Sequence, residues 1–301
     1  GLLGLQPTHG LGVVLEHLHR LGHGPDLGAL VTLGAINWAT TGKVQGREGV
    51  PFGAIDTGKD DDHGRPVTVA FLDMIDAGHL PEDFVADIRR WKTRSGVVKI
   101  NLALSELPDF TARPGTNLQE HHTGSVELCF SPAYAERAFQ DAHLHRRAAE
   151  RPFVDGTIPS TLDPTLMPEG VHFFSMFTQW VPDDWVREPH RAELEAYADR
   201  VIDGYTELAP NLRRSVIARQ VIGPYDMEQD LGLIGGNIFH GELSVDQLFH
   251  MRPAPGYADY RTPIRGLYHG SSATHGGGGV TGIPALQVVR QIERDRAVGK
   301  R

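Results

Sequence analysis

The chain has 301 residues, of which 40% are hydrophobic and 22% charged, the make-up of a folded globular protein with enough length for one large domain or two ordinary ones. Its net charge of −9 excludes the sequence-independent nucleic-acid binding that rests on clustered Lys and Arg displacing counterions; a small anionic ligand held by a local site stays open. One cysteine, Cys129, excludes an intrachain disulfide framework and a Cys-rich zinc site.

Residues 1–66 are rich in Gly and His and carry no sustained periodicity. Within them, His17 to Leu27 reads as the end of a short helix, Leu30 to Ile36 as a strand, and Gly58 to Gly64 as an exposed turn. The spacing Gly53, Gly58, Lys59 resembles a phosphate-binding loop, but Asp60 stands where Ser or Thr would hold magnesium, and the following acidic run repels phosphate. From Pro81 the pattern is helical, with Phe84, Val85, Ile88 and Trp91 on one face. Gly96 to Leu104 alternates as a strand, with Val98, Ile100, Leu102 and Leu104 on one side and Lys99 and Asn101 on the other. Ser125 to Phe130 reads as a second strand, Ser131 to Arg147 as a helix, Pro152 to Gly170 as a proline-rich loop, and Val171 to Val181 as a third strand. The strongest helical pattern runs from Pro189 to Leu208 with Leu194, Tyr197, Val201, Tyr205 and Leu208 at helical spacing, and Pro210 stops it. Ser215 to Ile222 reads as a further strand. Mixed elements of this kind predict an α/β or α+β architecture.

The end of the chain carries the clearest chemistry. After the apolar pair Leu267 and Tyr268, a glycine-rich loop runs from Gly270 to Gly282, and a helix starts at Pro284 with Leu286, Val289 and Ile292 on one side. Residues without Cβ let the backbone approach a ligand, and the free N–H groups of a following helix favour negative charge or a carbonyl oxygen. Gly277, Gly279 and Gly282 match G-x-G-x-x-G by spacing, yet no βαβ unit follows them, so the loop reads as an auxiliary ligand contact or a surface turn rather than a primary dinucleotide site. A second informative stretch, Gly235 to Glu242, packs Gly, Asn, His and Glu around Ile238 and Phe239. There His240 and, further on, Arg252 are the candidate pocket residues, while Phe249 and Met251 read as core.

Other chemistries lack their signatures. The 16 histidines include no H-E-x-x-H helix, and adjacent His121 and His122 point to opposite faces if they lie on a strand. No G-x-S-x-G nucleophile elbow occurs, and nothing marks a base for Ser271 or Ser272. No apolar run reaches the length of a membrane span and no charged-then-apolar leader opens the chain, whose first residue is Gly1. The expected location is the cytoplasm, with an organelle matrix as the alternative. A homodimer is compatible with the sequence, although no interface signal marks it.

Three stretches together, Gly235 to Glu242 (GGNIFHGE), Gln247 to Pro255 (QLFHMRPAP) and Tyr260 to Gly282 (YRTPIRGLYHGSSATHGGGGVTG), resemble the C-terminal signature of phytoene-desaturase-like FAD-dependent oxidoreductases. Phe71 to Asp73, Arg94 to Leu104 and Val221 to Met227 resemble the same family, so the likeness covers roughly residues 67–295. The resemblance implies a two-lobed flavoprotein of the amine-oxidase and phytoene-desaturase type: a Rossmann unit for FAD, an α+β substrate lobe covering the flavin, and a final glycine loop and helix returning to the flavin. It implies FAD contacts at Ser272, His275, Gly277, Gly278, Gly279 and Val280. On this reading His240 is an acid/base or polar positioning group and Arg252 holds an anionic substrate group or the flavin carbonyl edge. The family's N-terminal Rossmann fingerprint has no counterpart in residues 1–66. The expected organisation is therefore a poorly matched remnant of the FAD lobe over 1–86, a substrate lobe over 87–255 and a C-terminal FAD segment over 256–301. The expected activity is hydride transfer from an apolar or amphipathic small molecule to flavin. The alternative is a non-catalytic binding or assembly module derived from such an enzyme.

Overall fold

The computed structural model describes Leu72, Ile75 and residues 77–299, Val280 excepted. The expected helix at residues 17–27, strand at 30–36 and turn at 58–64 lie outside these residues. The described part combines helices with one five-stranded sheet of order β2-β3-β4-β1-β5, in which every pairing is antiparallel. The strands are β1 (Val97–Leu104), β2 (Val126–Leu128), β3 (Phe153–Thr157), β4 (His172–Gln179) and β5 (Val216–Ile222). The helices are α1 (Glu82–Arg89), α2 (Pro132–His143), α3 (Arg191–Leu208), α4 (Leu212–Ser215), α5 (Pro224–Leu231) and α6 (Ile283–Ala297).

The alternation of β1 decides which face is core. Val98, Ile100, Leu102 and Leu104 are buried, as are Phe174 and Met176 of β4 and Val154 of β3. They pack against Leu194, Tyr197, Ala198, Val201, Ile202 and Tyr205 of α3 in the largest apolar cluster. A phenol entering a core keeps its aromatic bulk inside and seeks a partner for its hydroxyl, and the Tyr197 hydroxyl has none among the described residues. Tyr205 finds one in the Val126 carbonyl at 2.5 Å, and burial pushes its ionisation well above the usual phenol range.

The opposite face of the sheet carries Lys99, Asn101, Phe173, Ser175 and Phe177, all half-buried. At one end of this face Phe177 and Ile222 pack against Val97, Met227, Leu233 and Ile238. That cluster joins the sheet to the segment after α5.

Several expectations are corrected. Residues 153–157 form an interior strand, β3, inside the stretch expected to be loop; flanking Pro152 and Pro159 hide a run too short for its alternation to register. The second strand ends at Leu128, and Phe130 lies beyond it, 59% exposed. His121 and His122 sit in a single 3-10 turn, Glu120–Thr123, with ring centroids 4.0 Å apart rather than on opposite faces. The final helix turns a different side inward: Leu286 is 51% exposed, whereas Val288, Gln291, Ile292 and Asp295 are buried. A buried carboxylate sets that phase, because Asp295 accepts from Arg261, Tyr268 and Gln291. Those bonds hold its pKa well below the usual carboxylate range, led by Arg261. The expected boundary between residues 86 and 87 falls inside α1, whose Phe84 and Ile88 pack with Leu80 and Ala254. Among the described residues no helix is long and apolar enough to cross a membrane.

Candidate functional site

The site is built from loops, so its backbone polar groups have no ladder to satisfy them and side chains must do so. Asn237 organises the first turn. Its Oδ1 accepts from the N–H groups of Phe239 (2.9 Å) and Gly241 (3.2 Å), and its Nδ2 donates to the Arg94 carbonyl (3.1 Å). Asn suits this role because its short amide mimics a backbone turn. The turn drives His240 to φ +58, a left-handed conformation uncommon for a residue with a Cβ. The indole N–H of Trp91 donates to the His240 carbonyl at 3.0 Å. The next residue must be glycine, since a Cβ on Gly241 would come within 2.5 Å of the Trp91 ring.

Arg252 is the hub of these loops. It is 1% exposed, and all five guanidinium N–H groups are directed at backbone carbonyls. Nε and one terminal nitrogen donate to Ser272 (3.0 and 2.9 Å), that same nitrogen donates to Phe239 (2.7 Å), and the other donates to Glu242 (3.3 Å) and Gln247 (3.1 Å). The cation also stacks 5.1 Å from the Trp91 ring. No carboxylate among the described residues forms an ion pair with it, and burial pushes its pKa down to about 10. The expectation that Arg252 holds an anionic substrate group or the flavin carbonyl edge is thereby corrected: its donors are spent on the chain itself, and its work is to tie the 239–247 loop to the glycine loop. Gln247 completes the tie, accepting from Lys92 N (2.6 Å) and donating to the carbonyls of Lys92 (3.0 Å) and Glu242 (3.3 Å).

The glycine loop curls on two serines. Ser272 Oγ accepts from the N–H groups of Gly278 (3.0 Å) and Gly279 (3.1 Å). Gly277 has no room for a side chain, because a Cβ would lie 2.0 Å from the Ser272 carbonyl oxygen. Tyr260 donates its hydroxyl to the His275 carbonyl at 3.0 Å. Gly282, at φ +70, leads into α6. Seven sequence-predicted residues therefore meet in one assembly: Arg252 touches Ser272 directly, Ser272 holds Gly278 and Gly279, and His275 and Gly277 lie in the same curl. His240 joins through Phe239, whose carbonyl shares one Arg252 nitrogen with that of Ser272. Val280 lies outside the described residues.

Within this assembly some buried polar atoms have no protein partner: Nδ1 of His240, Nδ1 of His275 and Oγ of Ser244. Such atoms cost free energy unless a ligand or water meets them. Burial, and then the Arg252 cation, lower the His240 pKa, so its imidazole is neutral near pH 7. Two further residues were not read as candidate site residues in the sequence. His269 is buried with Nε2 2.8 Å from Ser271 Oγ; its only signal was a histidine immediately ahead of the glycine loop. Lys99, on the half-buried sheet face, donates from Nζ to Ser175 Oγ at 2.6 Å, and burial lowers its pKa. Its signal was a single cation inside an otherwise apolar alternation.

No family model matches the chain. It is 41% identical over 233 residues to pyridine nucleotide-disulfide oxidoreductase domain-containing protein 2 of Rattus norvegicus, and equally so to the protein of that name in Mus musculus. The chain is a homologue of these proteins. Each match spans 75% of this chain and 40% of the relative, so the chain accounts for well under half of their length. That identity bears out the resemblance read from the sequence motifs as far as kinship with a protein named as an oxidoreductase. Among solved structures, an oxidoreductase from Methanosarcina mazei aligns with 70% of this chain and 36% of its own, at 19% identity and a TM-score of 0.40.

Proposed function

We propose that this chain forms the substrate-covering and flavin-closing part of a two-lobed FAD-dependent oxidoreductase that dehydrogenates an apolar or amphipathic small molecule. The observation that carries the reading is the pair of buried, unpartnered ring nitrogens, His240 Nδ1 and His275 Nδ1, the second within a glycine loop whose curl leaves no room for a Cβ at Gly277. A heterocycle with its own donors and acceptors, brought close to bare backbone, answers both features. The residues therefore fit FAD, and the relatives' name as oxidoreductases agrees with that.

FAD, when bound, supplies a hydride acceptor; the protein supplies position and electrostatics. Ser272, His275, Gly277, Gly278 and Gly279 would hold it, with α6 directing the positive end of its dipole the same way. His240, neutral and fixed by Asn237 and Trp91, offers Nδ1 to hold or move a proton at the ligand. The half-buried sheet face supplies the apolar and aromatic bed, with Phe173 and Phe177 beside Lys99 and Ser175. The unmet nitrogens favour this reading over a pure assembly module, which has no use for them.

The test is a visible absorption spectrum of the purified 301-residue chain, with mass spectrometry of any released ligand and titration with added FAD. Flavin bands released as FAD, or saturable uptake of FAD, are expected. A colourless chain that takes up no FAD would overturn the reading for this chain and leave the assembly module.

A further inference from the structure

Immediately ahead of the glycine loop stands a buried imidazole that the proposed reaction does not use. His269 is 7% exposed and directly precedes Gly270, where the loop begins. Its Nε2 lies 2.8 Å from Ser271 Oγ. That hydroxyl already accepts from the Ala273 N–H at 3.1 Å, so its own proton is left for His269. The hydroxyl thus has a proton to give, and a neutral imidazole with a bare Nε2 is able to take it as a hydrogen bond. The rest of the curl hangs from the same residue: the Ser271 carbonyl accepts from the Thr274 N–H (3.0 Å) and hydroxyl (2.7 Å), and the Thr274 carbonyl accepts from Gly277 N–H (2.8 Å). The chain of bonds thus runs from His269 through Ser271 and Thr274 to Gly277, where the backbone is barest.

We infer that His269 is a positioning residue whose neutral imidazole, by accepting the Ser271 hydroxyl proton, fixes the glycine loop in its ligand-holding curl. The charged groups that face it favour that neutral state. Burial, the neighbouring His240 and the Arg252 cation together push its pKa down to about 4. A protonated His269 would have no lone pair at Nε2, would turn a second donor on Ser271 and would place a cation beside Arg252. The inference deepens the flavin reading and rests on it for the identity of the ligand, but its effect on the loop does not require a ligand.

The experiment compares His269→Leu, His269→Gln and Ser271→Ala with the unaltered 301-residue chain. Two readouts are used: amide hydrogen exchange across residues 271–279 without ligand, and FAD titration followed by quenching of flavin fluorescence. Leucine removes the acceptor, glutamine restores one through its side-chain carbonyl, and alanine at 271 breaks the same bond from the other end. His269→Leu and Ser271→Ala are expected to raise loop exchange by about tenfold, the cost of one buried hydrogen bond, and to weaken FAD binding about as much, while His269→Gln recovers both. Unchanged loop exchange in Ser271→Ala, or a His269→Gln protein as loose as His269→Leu, would overturn the assignment. If His269→Leu fails to fold, Ser271→Ala and His269→Gln decide the question alone. An unaltered chain that takes up no FAD would sink the flavin reading, and the exchange comparison would still decide the role of His269.

Discussion

The sheet with α3 and the loop assembly around Arg252 are both buried, but they are held by opposite means. In the first, backbone groups satisfy one another through the ladder, and the side chains between the layers are almost all apolar; Thr178 is an exception and gives its hydroxyl to the Val98 carbonyl at 2.7 Å. In the second, no ladder exists, and Asn237, Gln247, Arg252, Ser271 and Thr274 bind backbone one by one. The contrast teaches that burial alone does not define a core. Where the backbone is irregular, interior polar side chains replace the missing hydrogen-bond ladder, and the stability of the region is concentrated in few residues.

Breaking each region by one residue sharpens the contrast. Arg252→Ala strands five contacts on four backbone carbonyls, and a loss of about 4 kcal/mol is expected. Lysine at that position should recover less than half, because an ammonium has three donors and no fork. Leu102→Ala, in the middle of β1, should cost about 3 kcal/mol through its cavity. The two should differ more in kind than in size. Exchange of residues 271–279 should quicken in Arg252→Ala before the chain unfolds, whereas in Leu102→Ala it should follow global unfolding. Equal patterns in both variants would show that sheet and loops unfold as one unit.

Acid acts on the loops through their buried imidazoles. An unfolded imidazole takes a proton near pH 6.5, while His269 resists until about 4 and His240 is shifted in the same direction. Between those values the unfolded chain binds more protons than the folded one, so stability is full above about 6.5 and is lost as pH falls through the folded pKa. For His269 the loss by pH 4 is on the order of 3 kcal/mol. Chemical denaturation at a series of pH values should show this slope, and His269→Gln should flatten it; an equal slope in that variant would place the acid sensitivity elsewhere.

The same division explains what the sequence disclosed. β1 and α3 were legible because a period of two or of 3.6 is written directly in their apolar residues, and β4 because it is rich in aromatic residues. The seven residues that meet at the site were found through local composition and motif resemblance, since nothing periodic links Ser272 to His240. The role of Arg252 was misread for a physical reason: an arginine in a loop looks like a ligand for an anion, and only the fold reveals four carbonyl oxygens converging on it. β3 was missed because five residues between prolines carry too little pattern, and the phase of α6 because a single buried carboxylate, Asp295, outweighed the apolar positions.

Lys99 lies where the two regions meet, and it gives the smallest but most discriminating effect. Its strand neighbours in register are Phe177 and Ile222, both members of the cluster that reaches Ile238 near the His240 turn. Its amine has the Ser175 hydroxyl for a hydrogen bond and no carboxylate within ion-pair reach among the described residues, although Asp155 acts from farther off. Burial lowers its pKa, so the folded state holds this proton less tightly than the unfolded state does. The resulting penalty is complete at neutral pH and fades as pH rises past the folded pKa toward the unfolded value. Lys99→Met should therefore leave the melting temperature at neutral pH unchanged or raise it by a few degrees, about 1 kcal/mol or less, and that gain should shrink near pH 10. A variant that melts earlier at neutral pH would make Lys99 part of the scaffold. One that melts later would mark it as a group retained at a cost to stability, the pattern expected of a side chain kept for what it does to a ligand on the sheet face.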